Sequence, residues 1–67
     1  MTQKQKILEY MRYHEGISTY TAFKMGITRL AARISELRAD GYNILSERRM
    51  SEDNKPYVLY RLVGEEK

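Results

Sequence analysis

The sequence contains no cysteine and no tryptophan, and it has one proline among its 67 residues. The absence of cysteine excludes disulfide bridges, thiolate zinc sites and cysteine nucleophiles. The longest apolar run, residues 57–60, is far shorter than the ~20 residues that a membrane-spanning helix needs. A chain of this length has room for one core, so we predict a single domain over residues 1–67, with a frayed tail at 64–67.

Positive charge is in modest excess and is unevenly placed. Twelve Lys and Arg residues face nine Asp and Glu residues, for a net charge of +3. Residues 1–41 hold seven basic and four acidic side chains, whereas residues 42–67 hold five of each. The first two thirds of the chain therefore carry the whole excess, which allows a phosphate-bearing partner.

Three helices are predicted from the spacing of apolar side chains, over residues 2–14, 21–25 and 29–40. The third has the strongest pattern, since three aliphatic residues recur on one face and a glycine stop follows at position 41. The predicted N-caps are Thr2, Ser18 or Thr19, and Thr28. The predicted core positions are Ile7, Leu8, Met11, Ala22 with Phe23 or Met25, Leu30, Ile34 and Leu37.

Two β-strands are predicted after the helices, over residues 42–50 and 57–63, with the polar segment 51–56 as the turn between them. Ile17 is a candidate for a short third strand at the hairpin edge. The residues predicted to face the helices are Ile44, Val58, Tyr60 and Leu62. The expected fold is α+β, a winged helix-turn-helix with three helices followed by a two-stranded hairpin wing.

The second and third predicted helices have the arrangement of a helix-turn-helix, in which the second helix of the pair lies in the DNA major groove. Arg29, Ala32, Arg33 and Glu36 form its predicted outward strip. Arginine suits bidentate contact with guanine, and a small side chain between two arginines allows close approach. Glu36 either accepts from cytosine N4 or pairs with Arg33. The alternative for the whole strip is a solvated helix face with internal ion pairs.

A second group of side chains is predicted to contact phosphates. Hydroxyls at helix N-termini and basic side chains around the wing suit phosphate oxygens. The predicted phosphate contacts are Thr19, Tyr20, Thr28, Arg38, Arg48, Arg49 and Lys55. The wing tip carries Glu52 and Asp53, so we expect the base of the wing to contact phosphates and the tip to stay out.

The segment from Gly26 to Arg38, followed by residues 41–44, resembles the winged helix-turn-helix domains common in phage and prophage proteins. This resemblance implies binding to double-stranded DNA, most often in transcription control, and otherwise in site-specific excision or early phage functions. Carried over by position, Arg29, Ala32 and Arg33 match the recognition helix, and residues 48–55 match the wing. Such a protein is expected in the cytoplasm, at the nucleoid or in the cytoplasm of a phage host.

Other function classes are weighed against this one. A winged helix that docks a protein is an alternative, since a fold does not fix a function. An enzyme is disfavoured, because the sequence offers no Ser/His/Asp set and no cluster of metal ligands. We therefore expect no catalytic residues, no metal, no cofactor, no small-molecule ligand and no membrane association. A homodimer on DNA and a second protein both stay open as partners.

Overall fold

Three helices and three strands make up the computed structural model, which describes the backbone of residues 2–65 and the side chains of residues 2–64. None of its helices is long and apolar enough to cross a membrane, over that described part of the chain. In chain order the elements are α1 (Gln3–Tyr13), β1 (Ile17–Ser18), α2 (Thr19–Lys24), α3 (Leu30–Ala39), β2 (Tyr42–Met50) and β3 (Pro56–Glu65).

The capping box predicted at the start of α1 is confirmed. The Thr2 hydroxyl accepts from the Gln5 backbone N–H at 3.2 Å, and the Gln5 side-chain oxygen accepts from the Thr2 N–H at 3.0 Å. These bonds satisfy donors that have no partner within the helix. The predicted inner face of α1 is buried: Ile7, Leu8 and Met11.

The second helix begins two residues earlier than predicted, at Thr19, because Ser18 is its N-cap and accepts from the Thr21 N–H at 3.2 Å. Ala22 is fully buried, as predicted. Of the two alternatives offered as its companion, the structure selects Met25, which packs against the core, whereas Phe23 is 67% exposed.

The N-cap predicted for α3 is also wrong, since the cap position is Arg29 rather than Thr28 and has no side-chain cap bond. The turn before the helix does not bring Thr28 to the cap position. Gly26 has a φ of +85°, and the buried Ile27 donates its N–H to the Ala22 carbonyl at 2.8 Å. This turn leaves Thr28 exposed in an irregular segment. The inner face of α3 is as predicted: Leu30, Ile34 and Leu37 are buried.

The sheet is three-stranded and antiparallel, in the order β1-β3-β2. Ile17 pairs with Tyr60 and Ser18 with Leu59, which confirms the short third strand and corrects the two-stranded description of the wing sheet. The register between β2 and β3 shifts at residues 43 and 44. β3 runs through positions 64 and 65, which we expected in a frayed tail, and positions 66 and 67 lie outside the described residues.

One face of the sheet packs on the helices. Ile44 is buried, and Tyr60 and Leu62 are packed against the core, as predicted, whereas Val58 is half-buried beyond it. Leu59 lies on the opposite face because side chains alternate along a strand, yet it is only 8% exposed. The reason is the close approach of Gly16: a Cβ there would lie 2.8 Å from the Leu59 Cγ.

Candidate nucleic-acid interface

The three buried residues of α3, Leu30, Ile34 and Leu37, define the side of the helix that faces the core, and hence also the side that faces solvent. With 3.6 residues per turn, Ala32, Ser35 and Ala39 lie on the opposite side of the helix. Arg29 stands just before the helix and is exposed, and its side chain has no hydrogen bond or ion pair within the described part of the chain. The outward side of α3 is therefore formed by small side chains, with a free arginine at its N-terminus.

The other two members of the predicted base-reading strip pair with each other. The Arg33 Nη2 lies 3.1 Å from the Glu36 Oε2, one turn along the helix. Both lie on the flank of α3 that faces α1, where the Lys4 ammonium contacts the Asp40 carboxylate at 2.6 Å. Hydrogen bonding to Asp40 raises the pKa of Lys4. Of the three charged residues in the strip, Arg33 and Glu36 are thus paired with each other, whereas the Arg29 side chain has no ion pair.

A groove beside α2 brings together three of the predicted phosphate contacts, which are far apart in sequence. Thr19 and Tyr20, in the first turn of α2, line it together with Lys55 from the turn between β2 and β3. The Tyr20 ring is held by the Lys24 ammonium, which lies 5.4 Å from the ring centroid. Thr28, the third predicted hydroxyl contact, is exposed in the turn before α3.

Arg48 and Arg49 are neighbours in β2 that point to opposite faces of the sheet. Arg48 lies opposite Val58, on the face that packs on the helices, and its exposed side chain has no ionic partner in the described part of the chain. Arg49 lies on the outer face, where its Nη2 contacts Glu15 at 2.8 Å and Glu47 at 2.7 Å. Two neighbouring arginines therefore have different electrostatic surroundings.

The outer face of the sheet carries a cluster of four charges, Glu15, Glu47, Arg49 and Arg61. Glu47 accepts from both Arg61 and Arg49, and Glu15 accepts from Arg49. These contacts lower the pKa of Glu47 and of Glu15, and they raise the pKa of Arg49. The cluster ties the segment after α1 to the middle of β2.

Arg38, another predicted phosphate contact, fastens α3 to β2. Its Nε and Nη2 donate to the Ile44 carbonyl at 3.1 and 2.8 Å, and Nη2 also donates to the Ser46 hydroxyl at 3.0 Å. These bonds use donors that a phosphate would otherwise take. The contact of Arg38 with DNA stays a prediction, and its observed role is to connect two elements.

The structure thus divides the basic residues into two groups, a division that sequence reasoning missed. The partnered group comprises Lys4, Arg33, Arg38, Arg49 and Arg61. Within the described residues, the side chains without an ionic or hydrogen-bonded partner are those of Lys6, Arg29, Arg48 and Lys55, together with Lys24, which contacts only the Tyr20 ring. Helical spacing indicated only the Arg33–Glu36 pair in advance, since the Arg49–Glu15 and Arg61–Glu47 pairs join distant segments. No group of three or more His, Cys, Asp or Glu residues suited to a metal ion occurs in the described part.

The class of protein follows from this arrangement. Three helices, a tight turn between α2 and α3, and a β-hairpin on a three-stranded sheet define a winged helix. The chain belongs to the winged helix-turn-helix domain family, whose model matches residues 2–64. No curated protein and no solved structure matches the chain. A domain of this family suggests DNA as the partner.

Proposed function

We propose that the protein is a sequence-specific, double-stranded DNA-binding protein that acts as a small transcriptional regulator of a phage or mobile element. The observation that carries the proposal is the distribution of unpartnered cations. Arg29 precedes the recognition helix and Arg48 and Lys55 belong to the wing, whereas Arg33, Arg38 and Arg49 are held by carboxylates or a carbonyl. Free cations at these places suit a phosphate-rich duplex.

In this proposal α3 lies in the major groove with its N-terminal half toward the base edges. Arg29 and Arg33 contact guanine, Ala32 allows close approach, and Glu36 lies at the edge of the same strip. Thr19, Tyr20, Thr28, Arg48 and Lys55 contact phosphates. Arg38 and Arg49 contribute to phosphate binding only where a phosphate displaces their present partners, so we expect them to contribute least to the affinity for DNA.

The proposed protein is not an enzyme: it acts by occupying or bending a site in DNA. It needs no cofactor, metal or small-molecule ligand, and it works in the cytoplasm, where the nucleoid or phage DNA lies. Excision or recombination accessory factors use the same physical contacts. The choice between those roles and promoter control depends on where the target sequence lies.

The test is fluorescence anisotropy with a labelled mixed-sequence duplex of about 30 base pairs, at roughly 50 mM and 200 mM salt. We expect micromolar binding at the lower salt and a steep loss at the higher one, because each neutralised phosphate contributes a slope of about −0.9 in log K against log salt. A single strand of the same sequence serves as the competitor. No binding at low salt, or equal preference for the single strand, would contradict the proposal.

A second candidate, protein docking, is favoured by the exposed acidic wing tip at Glu52 and Asp53. A partner with a basic surface would bind there. Replacement of both residues by Gln and Asn abolishes binding to such a partner, whereas for DNA it preserves or increases affinity, because two negative charges are removed from the wing. The direction of the change in DNA affinity therefore separates the two candidates.

A further inference from the structure

We propose that Glu36 is a specificity-determining positioning residue that acts through Arg33: its carboxylate holds the guanidinium in place for a base edge and away from phosphates. This inference rests on the proposed DNA-binding function and names the residue that sets its selectivity. The Arg33 Nη2–Glu36 Oε2 distance is 3.1 Å. The pair joins two of the four side chains of the predicted base-reading strip.

The arginine is restrained on two sides. Its side chain is only 28% exposed, against 45% for that of Glu36, and its Nε is buried without a hydrogen-bond partner. The stem and Nε are thus packed against the protein while the end of the guanidinium is anchored by the carboxylate. An arginine held in this way has few orientations, which lowers the entropy lost on forming a bidentate contact.

The restraint leaves donors available. A guanidinium has five N–H donors in a rigid fork, and one carboxylate oxygen occupies only one of them. The remaining end of Arg33 can meet the O6 and N7 acceptors of a guanine, a geometry that only that base offers in the major groove. Glu36 then stays hydrogen-bonded to Arg33 in the complex rather than being left as an isolated charge beside DNA.

The surrounding charges weaken the alternative contact with phosphates. Lys4 and Asp40 form a second ion pair at 2.6 Å next to the first, so this flank of α3 carries two positive and two negative charges. The nearby charge of Glu36 raises the pKa of Lys4 and that of Arg33 lowers it, so the four groups form one electrostatic cluster. Because the cluster is neutral overall, a phosphate gains little there, whereas unpaired Arg48 in the wing attracts phosphates of any sequence.

The experiment is a double-mutant cycle of Glu36→Gln, Arg33→Ala and the double variant. Binding is measured on the mixed-sequence duplex and on a site selected from random duplexes with the wild-type protein. Glu36→Gln frees Arg33 for phosphates, so we expect the salt slope on the mixed duplex to steepen by about 0.9. We also expect the ratio of selected-site to mixed-duplex affinity to fall about tenfold, within the range for one bidentate contact. In the Arg33→Ala background both effects of Glu36→Gln should vanish.

Glu52→Gln is the matched control, since it removes the same charge from an exposed side chain that is not in α3. If Glu36→Gln changes slope and selectivity no more than this control, or has the same effect without Arg33, Glu36 acts only as a repulsive charge and the inference is overturned. If the wild-type protein does not bind the duplex at all, the proposed function itself fails, and this inference with it. Thermal melting of every variant checks that each is folded.

Discussion

At the scale of single residues, Arg48 and Arg49 give the sharpest contrast in the molecule. They are adjacent in the chain and chemically identical, but the first has no ionic partner and the second contacts two carboxylates. We expect Arg48→Ala to weaken binding to all duplexes alike and to reduce the salt slope by about 0.9, since one phosphate contact is lost. The thermal midpoint should stay close to that of the wild type.

Arg49→Ala is the control for that variant, because it removes the same charge from the other face of β2. We expect it to lower the thermal midpoint, since Glu15 and Glu47 lose a partner. The salt slope for DNA should be nearly unchanged. The opposite pattern, with DNA binding lost in Arg49→Ala and stability lost in Arg48→Ala, would show that the outer face of the sheet binds DNA.

At Gly16 the effect of a substitution is determined by steric space and not by charge. A Cβ at this position would lie 2.6 Å from the Tyr60 carbonyl oxygen and 2.8 Å from the Leu59 Cγ. We therefore expect Gly16→Ala to destabilise the protein by roughly 1–3 kcal/mol, because the backbone must move to relieve the overlap. Gly64→Ala is the comparison, since its nearest atom is the side-chain Nδ2 of Asn43 at 3.2 Å. Urea unfolding that gave equal losses for the two variants would refute the packing argument.

At the scale of elements, the four-charge cluster connects the segment after α1 to β2 and β3. Glu15 and Glu47 have pKa values below the ordinary value of 4.5 because arginines hydrogen-bond their charged forms. A lowered pKa in the folded state means that the contribution to stability is complete above the unfolded value. This contribution to stability is lost as the pH falls through the pKa of the folded state.

We therefore expect the thermal midpoint to fall as the pH is lowered from about 5 to about 3. Glu47→Gln should have a lower midpoint at neutral pH and a weaker dependence on pH in that range, since it lacks the charge that both arginines bind. Melting curves followed by circular dichroism at several pH values measure both quantities. An unchanged pH dependence in Glu47→Gln would mean that other carboxylates dominate acid unfolding.

The elements themselves could largely be predicted from sequence, because their determinants are local. The capping box of α1 and the three aliphatic residues of α3 each lie within one short segment. The N-cap of α3 was wrongly predicted at Thr28, because Ile27 uses its backbone N–H in the turn and Thr28 does not reach the cap position. The choice between Phe23 and Met25 as a core residue stayed open, because a six-residue helix has too few turns for periodicity to distinguish its faces.

At the scale of the whole molecule, what sequence could not supply is contact between distant segments. Leu59 is buried on the outer face because Gly16, far away in sequence, approaches it closely. Glu15 and Arg49 are separated by 34 positions, so no helical or strand spacing indicates their pairing. The binding role of the basic residues around α3 and the wing stays a prediction, and sequence alone could not separate the free cations among them from the partnered ones.

The central claim is that double-stranded DNA binds the surface formed by the start of α3, the first turn of α2 and the wing. A titration of ¹⁵N-labelled protein with a duplex, followed by amide chemical shifts, tests it most directly. The account predicts the largest shifts at residues 28–33, at Thr19 and Tyr20, and at Arg48 and Lys55. Shifts concentrated on the outer sheet face, at Glu47, Arg49 and Arg61, or no shifts at low salt, would contradict it.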